Sequence, residues 1–78
     1  MASQTHLRIL KQGVHVWNSW RHNRPSISPN LSEADLTNRN LAGVNFSNTN
    51  LDGADFTRTN LAGANLMDAS VEGTIGLT

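Results

Sequence analysis

A large apolar residue occupies every fifth position through the second part of the chain. These nine residues are Leu31, Leu36, Leu41, Phe46, Leu51, Phe56, Leu61, Leu66 and Val71. The residue before each of them is Asn or Asp in eight of the nine units. Helical side-chain positions repeat every 3.6 residues and strand positions every 2, so a period of five fits neither element. The pattern instead predicts short extended segments alternating with tight turns, repeated as the sides of a coil.

Within each unit, the large apolar residue and the mostly small residue two positions before it are predicted to point inward. The nine apolar residues are thus the predicted inner core. The Asn or Asp between them points outward and can hydrogen-bond its own backbone near the corner. Gly or Asn at the last position of most units supplies the positive φ that the turn requires. Successive coils would stack through backbone hydrogen bonds at about 4.8 Å.

The first part of the chain has helical periodicity instead. From about Ser3 to Arg21, the apolar residues fall on one half of a helical wheel, and Arg21 drifts onto that side. Asn23 and Pro25 are predicted to end the helix. We therefore divide the chain into an amphipathic capping helix, residues 1–24, and a repeat region, residues 25–78. The residues predicted to cover the first coil are Leu7, Leu10, Val14, Trp17 and Trp20.

The run from Ala34-Asp35-Leu36-Thr37-Asn38 to Ala64-Asn65-Leu66-Met67-Asp68 resembles the pentapeptide-repeat proteins, whose motif is A(D/N)LXX. The resemblance covers about two-thirds of the chain. It implies an all-β solenoid: a right-handed quadrilateral β-helix with four units per coil, here about two coils capped by an N-terminal α-helix. The segments Leu10–Val14 and Trp17–Arg21 are similar to a leader found before such repeats in bacterial, often multidomain, proteins.

Four units per coil would place Leu31, Leu51 and Val71 in one inner column. Arg39 departs from the small residue expected at its position. It lies either under the helical cap or bends outward toward Asp35, and we favour the outward orientation because an unpaired buried guanidinium is unfavourable.

The far end of the repeat has no second helix to cover it. Ile75 and Leu77 fold over the last coil, a second copy pairs with the exposed edge, or the chain is the first piece of a longer protein. A homo-oligomer through this uncapped C-terminal coil is one of the predicted partnerships.

Charge divides the chain in the same place as the pattern. Residues 1–30 contain four basic residues and no acid, and residues 31–78 contain six acids and two arginines, so the net charge is zero. A general nucleic-acid binder that relies on bulk positive charge is therefore not expected. The absence of cysteine excludes a disulfide framework. No apolar run approaches the length of a membrane span, and we expect a soluble cytoplasmic protein with no membrane partner.

Candidate chemistry is sparse. His6, His15 and His22 are interpreted as solvated surface residues, since His15 and His22 would lie about 10.5 Å apart on one helix, too far to share a metal. Asp35 and Asp55 should stack in one outward column, without a pocket and with Arg58 near them. We therefore predict no catalytic residue, no cofactor and no metal, and we expect that the protein is not an enzyme.

One predicted outer side is neutral, small and flat, which permits close approach by another protein. The candidate interface residues on this side and its neighbour are Asn40, Ala42, Asn60, Ala62 and Met67. The sequence thus predicts a non-enzymatic protein–protein interaction or scaffold module. The alternative, suggested by relatives in the same family, is a DNA-mimicking inhibitor of a type II topoisomerase such as gyrase. A net charge of −4 over about two coils makes that alternative weaker.

Overall fold

The structure, a computed structural model, describes residues 1–77; Thr78, the last residue of the predicted repeat region, lies outside the described residues. It begins with two short helices, α1 (Gln4–Lys11) and α2 (Val14–Asn23). The Ser3 hydroxyl caps α1 by accepting the His6 N–H at 3.3 Å. Neither helix has the length and apolar character that a membrane crossing requires.

The prediction of one continuous helix over Ser3–Arg21 is wrong. Gly13 has φ of 112°, a conformation that residues with a side chain rarely adopt, and it separates α1 from α2. Its N–H donates to the Leu10 carbonyl at the end of α1, and its carbonyl accepts the Trp17 N–H at the start of α2. The glycine within the apolar stripe is therefore the residue at which α1 ends and α2 begins.

Beyond the helices, the chain returns to the same place every twenty residues. Parallel bridges pair residues twenty positions apart on four sides, which we name by their first residues: the Asn30, Asp35, Asn40 and Asn45 sides. The bridged pairs are Asn30 with Asn50, Asn50 with Ser70, Asp35 with Asp55, Asp55 with Ile75, Asn40 with Asn60, and Asn45 with Asn65. We call each twenty-residue turn a winding: residues 30–49, then 50–69, then the partial winding 70–77. Within residues 1–77 these pairings are single-residue bridges, not extended strands.

Each five-residue unit ends in a tight turn. In eight of the nine units, the third residue after the large apolar one donates its N–H back to the apolar residue's carbonyl, as Ala54 does to Leu51 at 3.0 Å. The residue before the donor has positive φ in all nine units, whether it is Gly or not. These residues are Glu33, Asn38, Gly43, Asn48, Gly53, Arg58, Gly63, Asp68 and Gly73. The repeat thus imposes one backbone shape even where the side chain disfavours it.

The core consists of the large apolar residues of the repeat, and their burial decreases toward the end of the chain. Six of the nine predicted core residues are buried: Leu31, Leu36, Leu41, Phe46, Leu51 and Phe56. Leu61 and Leu66 are half-buried and pack against that cluster. Val71 is 37% exposed, so its assignment to the inner core is wrong. It belongs to the partial winding, and within residues 1–77 no further winding covers it.

Arg39 is half-buried at the small-residue position. Its charge is among the influences that lower the pKa of Asp35, although no ion pair within 4 Å joins the two side chains in residues 1–77. The turn that Arg39 should close lacks the usual hydrogen bond among the described residues, and the Leu36 carbonyl instead accepts the Thr59 hydroxyl of the next winding. Asn38 keeps the positive φ of the other turns, at 57°, and the Leu36 carbonyl is satisfied by the next winding.

Candidate functional site

The two ends of the stack are the places where the repeated hydrogen bonding stops. Inside the stack, Asn50 donates its N–H to the Pro29 carbonyl, and its own carbonyl accepts the Leu31 N–H. The first winding has no earlier winding to supply those partners. Its free N–H and carbonyl groups therefore require other partners or remain open to solvent and to other molecules.

At the Asn45 side, α2 supplies those partners through three side chains. The Asn18 Oδ1 accepts the Asn45 N–H at 2.8 Å. The Asn45 carbonyl accepts the Trp17 Nε1–H at 2.7 Å and an Arg21 guanidinium N–H at 3.1 Å. Side chains of a helix thus provide the donors and the acceptor that a preceding winding would otherwise provide.

The same helix covers the mouth of the first winding with aromatic surface. Trp17 is fully buried, and its ring meets the Phe46 ring edge-on at 5.7 Å between centroids. Phe46 in turn lies 6.5 Å from Phe56 of the second winding. Leu10 is also buried, whereas the other predicted cap residues, Leu7, Val14 and Trp20, are partly buried and pack against the core.

Arg21 is the least expected member of this covering layer. It is only 5% exposed, donates to the Thr49 hydroxyl at 3.2 Å, and leaves its Nε–H without a partner among residues 1–77. Burial lowers the pKa of its guanidinium, and no described carboxylate lies within 4 Å of it. Its position on the apolar half of the helical wheel was the sequence signal for this burial.

At the Asn30 side, residues at the start of the chain provide the hydrogen-bond partners. Ser3 donates its N–H to the Asn30 carbonyl at 2.9 Å, and the His6 Nδ1 accepts the Asn30 N–H at 3.0 Å. The side-chain amide of Asn30 also donates to the Met1 carbonyl at 3.0 Å.

The interpretation of His6 as a solvated residue is wrong, because it is partly buried and contacts the Trp20 ring at 5.1 Å between centroids. His15 and His22 are exposed.

The remaining two sides of the first winding are less completely covered. Among residues 1–77, the backbone N–H groups of Asp35 and Asn40 have no hydrogen-bond partner, and both residues are exposed. The helices therefore close the Asn30 and Asn45 sides of this end, and on the Asn40 side they provide one hydrogen bond, from the Asn18 Nδ2 to the Gly43 carbonyl at 3.0 Å.

The opposite end has no helix among the described residues. Met67, Val71 and Ile75 are exposed by 70%, 37% and 56%, next to the half-buried Leu61 and Leu66. Leu77 packs against the core, and Ile75 pairs with Asp55 through its backbone while its side chain faces solvent. The tail therefore covers part of the Asp35 side and leaves apolar side chains exposed elsewhere.

The neutral wall consists of the Asn40 side. Asn40, Ala42, Asn60 and Ala62 are all exposed there, and the Asn60 amide donates to the Asn40 Oδ1 at 3.3 Å. Met67 lies one corner away, on the Asn45 side, so the wall and Met67 do not share one flat surface.

The outward Asn and Asp residues form one continuous system of backbone turns. In eight units, the side-chain oxygen accepts the N–H of the residue two positions later. The accepting residues are Asn30, Asp35, Asn40, Asn45, Asn50, Asp55, Asn60 and Asn65. Their spacing thus serves local backbone hydrogen bonding.

Asp35 and Asp55 follow the same rule. Each carboxylate accepts the hydroxyl and the N–H of the Thr two residues later. These Thr37 hydrogen bonds lower the pKa of Asp35, which keeps its carboxylate ionised. Residues 1–77 contain no group of three metal-ligating side chains.

The ninth unit keeps the turn by a means that the sequence pattern does not reveal. Ser70 occupies the position that is Asn or Asp in the other units. The Asp52 carboxylate of the preceding winding accepts the N–H that the Asn or Asp side chain accepts elsewhere. It accepts the Glu72 N–H at 3.0 Å and the Ser70 hydroxyl. Asp52 and Glu72 are twenty residues apart, which makes them neighbours in successive windings. This spacing is the sequence signal that could have indicated that Asp52 replaces the missing Asn or Asp at position 70.

Two surface depressions complete the candidate sites. One runs along the outer face of α2 and is lined by His15, Asn18, Ser19, His22 and Asn23. The other, about 300 Å³, lies between the start of the chain and the first winding, where the Met1 ammonium is 3.7 Å from Glu33.

Comparison with known proteins gives one informative match. The sequence profile described as pentapeptide repeats matches residues 30–74 in eight copies. No curated protein and no solved structure gives a significant match to the chain. The matched region coincides with the windings and spans more than half of the chain, and the chain therefore belongs to the pentapeptide-repeat family.

Proposed function

We propose that this protein is a cytoplasmic, non-enzymatic protein–protein interaction module built on a right-handed quadrilateral β-helix of about two coils. Membership of the pentapeptide-repeat family and the fourfold set of twenty-residue bridges support the architecture. The observation that carries the function is the end of the stack away from the helices, where Met67, Val71 and Ile75 are exposed on three different sides and where, among residues 1–77, the N–H groups of Leu61 and Leu66 have no partner. Exposed apolar side chains beside an open edge favour association with another polypeptide.

A second copy of the chain is the occupant we propose for this end. The helices already cover the Asn30 and Asn45 sides of the other end, so stacking of one copy's last winding on another copy's first winding would meet α1 and α2. Pairing of the two uncovered ends avoids that obstacle and gives a closed, twofold arrangement.

Sedimentation equilibrium over a concentration series tests this assignment. We expect a dimer that is weakened by Met67→Arg and unaffected by Ala42→Arg, a matched exposed position on the neutral wall of the first winding. A chain that stays monomeric up to millimolar concentration would overturn the proposal. Equal sensitivity to Ala42→Arg would place the contact on the neutral wall instead and would also overturn it.

The alternative function, mimicry of DNA to inhibit a type II topoisomerase, requires a long and dense acidic surface. The carboxylates of Asp35 and Asp55 are engaged by threonines, and Arg58 lies between windings on the same side, with its Nε–H donated to Asn38 at 2.8 Å. These features favour the interaction module. We expect no inhibition in a gyrase supercoiling assay, and inhibition there would reverse the ranking.

A further inference from the structure

We infer that His6 is an acid-sensitive latch that holds the start of the chain and α1 against the Asn30 side of the first winding. The latch goes beyond the proposed function, because it concerns how the helical end opens and not what binds at the far end.

The geometry makes the neutral imidazole the closing form. The His6 Nδ1 accepts the Asn30 N–H at 3.0 Å, so the ring's proton is on Nε2. Adding the second proton would place a donor on Nδ1 opposite the Asn30 N–H, and this hydrogen bond would have to break. The ring is held in place by the Trp20 ring from α2.

The surroundings of His6 offer its charged form little compensation. His6 lies in the first turn of α1, where the helix dipole disfavours a positive charge. No carboxylate lies within 4 Å of it among residues 1–77, and the Glu33 carboxylate is paired with the Met1 ammonium. The charged or titratable groups on α1 and α2 are Arg8, Lys11, His15, Arg21 and His22, and those at the start of the chain and on the first winding are the Met1 ammonium, Glu33, Asp35 and Arg39. Only Glu33 and Asp35 are acidic, and the Asp35 carboxylate accepts hydrogen bonds from Thr37.

The pKa of His6 is lowered by burial, which outweighs an opposite, raising influence of the Asn30 backbone. Burial lowers it below the ordinary value of 6.5, so the folded state holds fewer protons than the released state as the pH falls. The stabilisation from the latch is complete above the ordinary pKa and is lost as the pH falls from that value to the lowered one.

Release would enlarge the open edge of the first winding. Asn30 would lose the His6 acceptor, and its side would join the Asp35 and Asn40 sides, whose N–H groups already lack partners among residues 1–77. Acid would thereby create a continuous free edge on three consecutive sides, which is the kind of edge to which an extended chain can pair.

Amide hydrogen exchange measured by NMR between pH 7.5 and 5.0 tests the latch. After correction for intrinsic exchange, we expect protection of the Asn30 amide to fall about tenfold per pH unit between the ordinary and lowered His6 pKa. In His6→Asn, the Asn oxygen can take the Nδ1 position and does not titrate, so protection should no longer depend on pH. The matched controls His15→Asn and His22→Asn, at exposed positions, should keep the wild-type dependence.

A second measurement needs no variant and therefore does not depend on folding of the mutants. The ring protons of His6 should titrate below the ordinary histidine pKa, with quenching of the combined Trp17 and Trp20 fluorescence over the same pH range. Constant Asn30 protection across the range, or titration of His6 at or above the ordinary value, would overturn the inference.

Discussion

The two ends of the stack of windings differ in whether their backbone N–H and carbonyl groups find hydrogen-bond partners. At the helical end, Asn18, Trp17 and Arg21 satisfy Asn45, while His6 and Ser3 satisfy Asn30. At the other end, within residues 1–77, the last apolar residues become progressively exposed. The difference shows that the repeat satisfies its own interior, whereas each terminal winding depends on residues that do not repeat.

The largest expected effect comes from removing the centre of the helical cover. Trp17→Ala deletes a fully buried indole that packs on Phe46 and donates to the Asn45 carbonyl. We expect a loss of about 3–5 kcal/mol in the free energy of unfolding, measured by urea denaturation. Met67→Ala at the opposite end is the control, with little expected change. Similar losses for both variants would contradict the contrast between the ends.

A second comparison uses one column of apolar residues. Leu51 is fully buried between windings and Val71 is partly exposed in the partial winding. We expect Leu51→Ala to lower the free energy of unfolding by about 2–5 kcal/mol. Val71→Ala should lower it by less than about 1 kcal/mol, because little buried surface is removed. Thermal denaturation followed by circular dichroism measures both, and a larger loss for Val71→Ala would refute the burial gradient.

Two turn residues allow a comparison in which two substitutions should change the free energy of unfolding in opposite directions. Asp68 adopts φ of 60° with a side chain that disfavours it, and Gly63 adopts φ of 70° with open space where a Cβ would lie. Asp68→Gly should raise the free energy of unfolding by up to about 1 kcal/mol, and Gly63→Ala should lower it by about 1–2 kcal/mol. Changes of the same sign in chemical denaturation would show that backbone strain does not govern these positions.

The smallest expected effect concerns acid stability at the open Asp35 side. The Thr37 hydrogen bonds lower the pKa of Asp35, so its contribution is present above the ordinary Asp pKa of 3.8 and is lost as the pH falls through the lowered value. In Asp35→Asn, the amide oxygen can still accept from Thr37, as the Asn residues of other units do. Melting temperatures at pH 7 should therefore match the wild type, while the decline below pH 4 becomes shallower. An unchanged acid decline would contradict this role.

Much of the local structure could be predicted from the repeat alone. The outward hydrogen bonds of Asn and Asp and the positive φ at the unit ends both follow the five-residue pattern. What the pattern missed are its exceptions, such as Asp52 replacing the missing amide at Ser70. The replacement comes from another winding, so no reading of a single unit contains it.

The sequence of the helical segment also predicted only part of its structure. Its apolar stripe indicated that a face was to be buried, yet Gly13, with φ of 112°, divides the segment into two helices. Arg21 and His6 are ordinary polar residues in the sequence. Their burial and partners arise only where α1 and α2 meet the first winding.

The sequence by itself determined the repeat, its five-residue period, the turn chemistry and the side of each unit that is buried, because these depend on neighbouring residues along the chain. Tertiary structure decided which free backbone groups are paired, why Val71 is exposed while Leu51 is buried, and why His6 must stay neutral to hold Asn30. Those properties depend on what lies above or below a winding, and residues distant along the chain supply it.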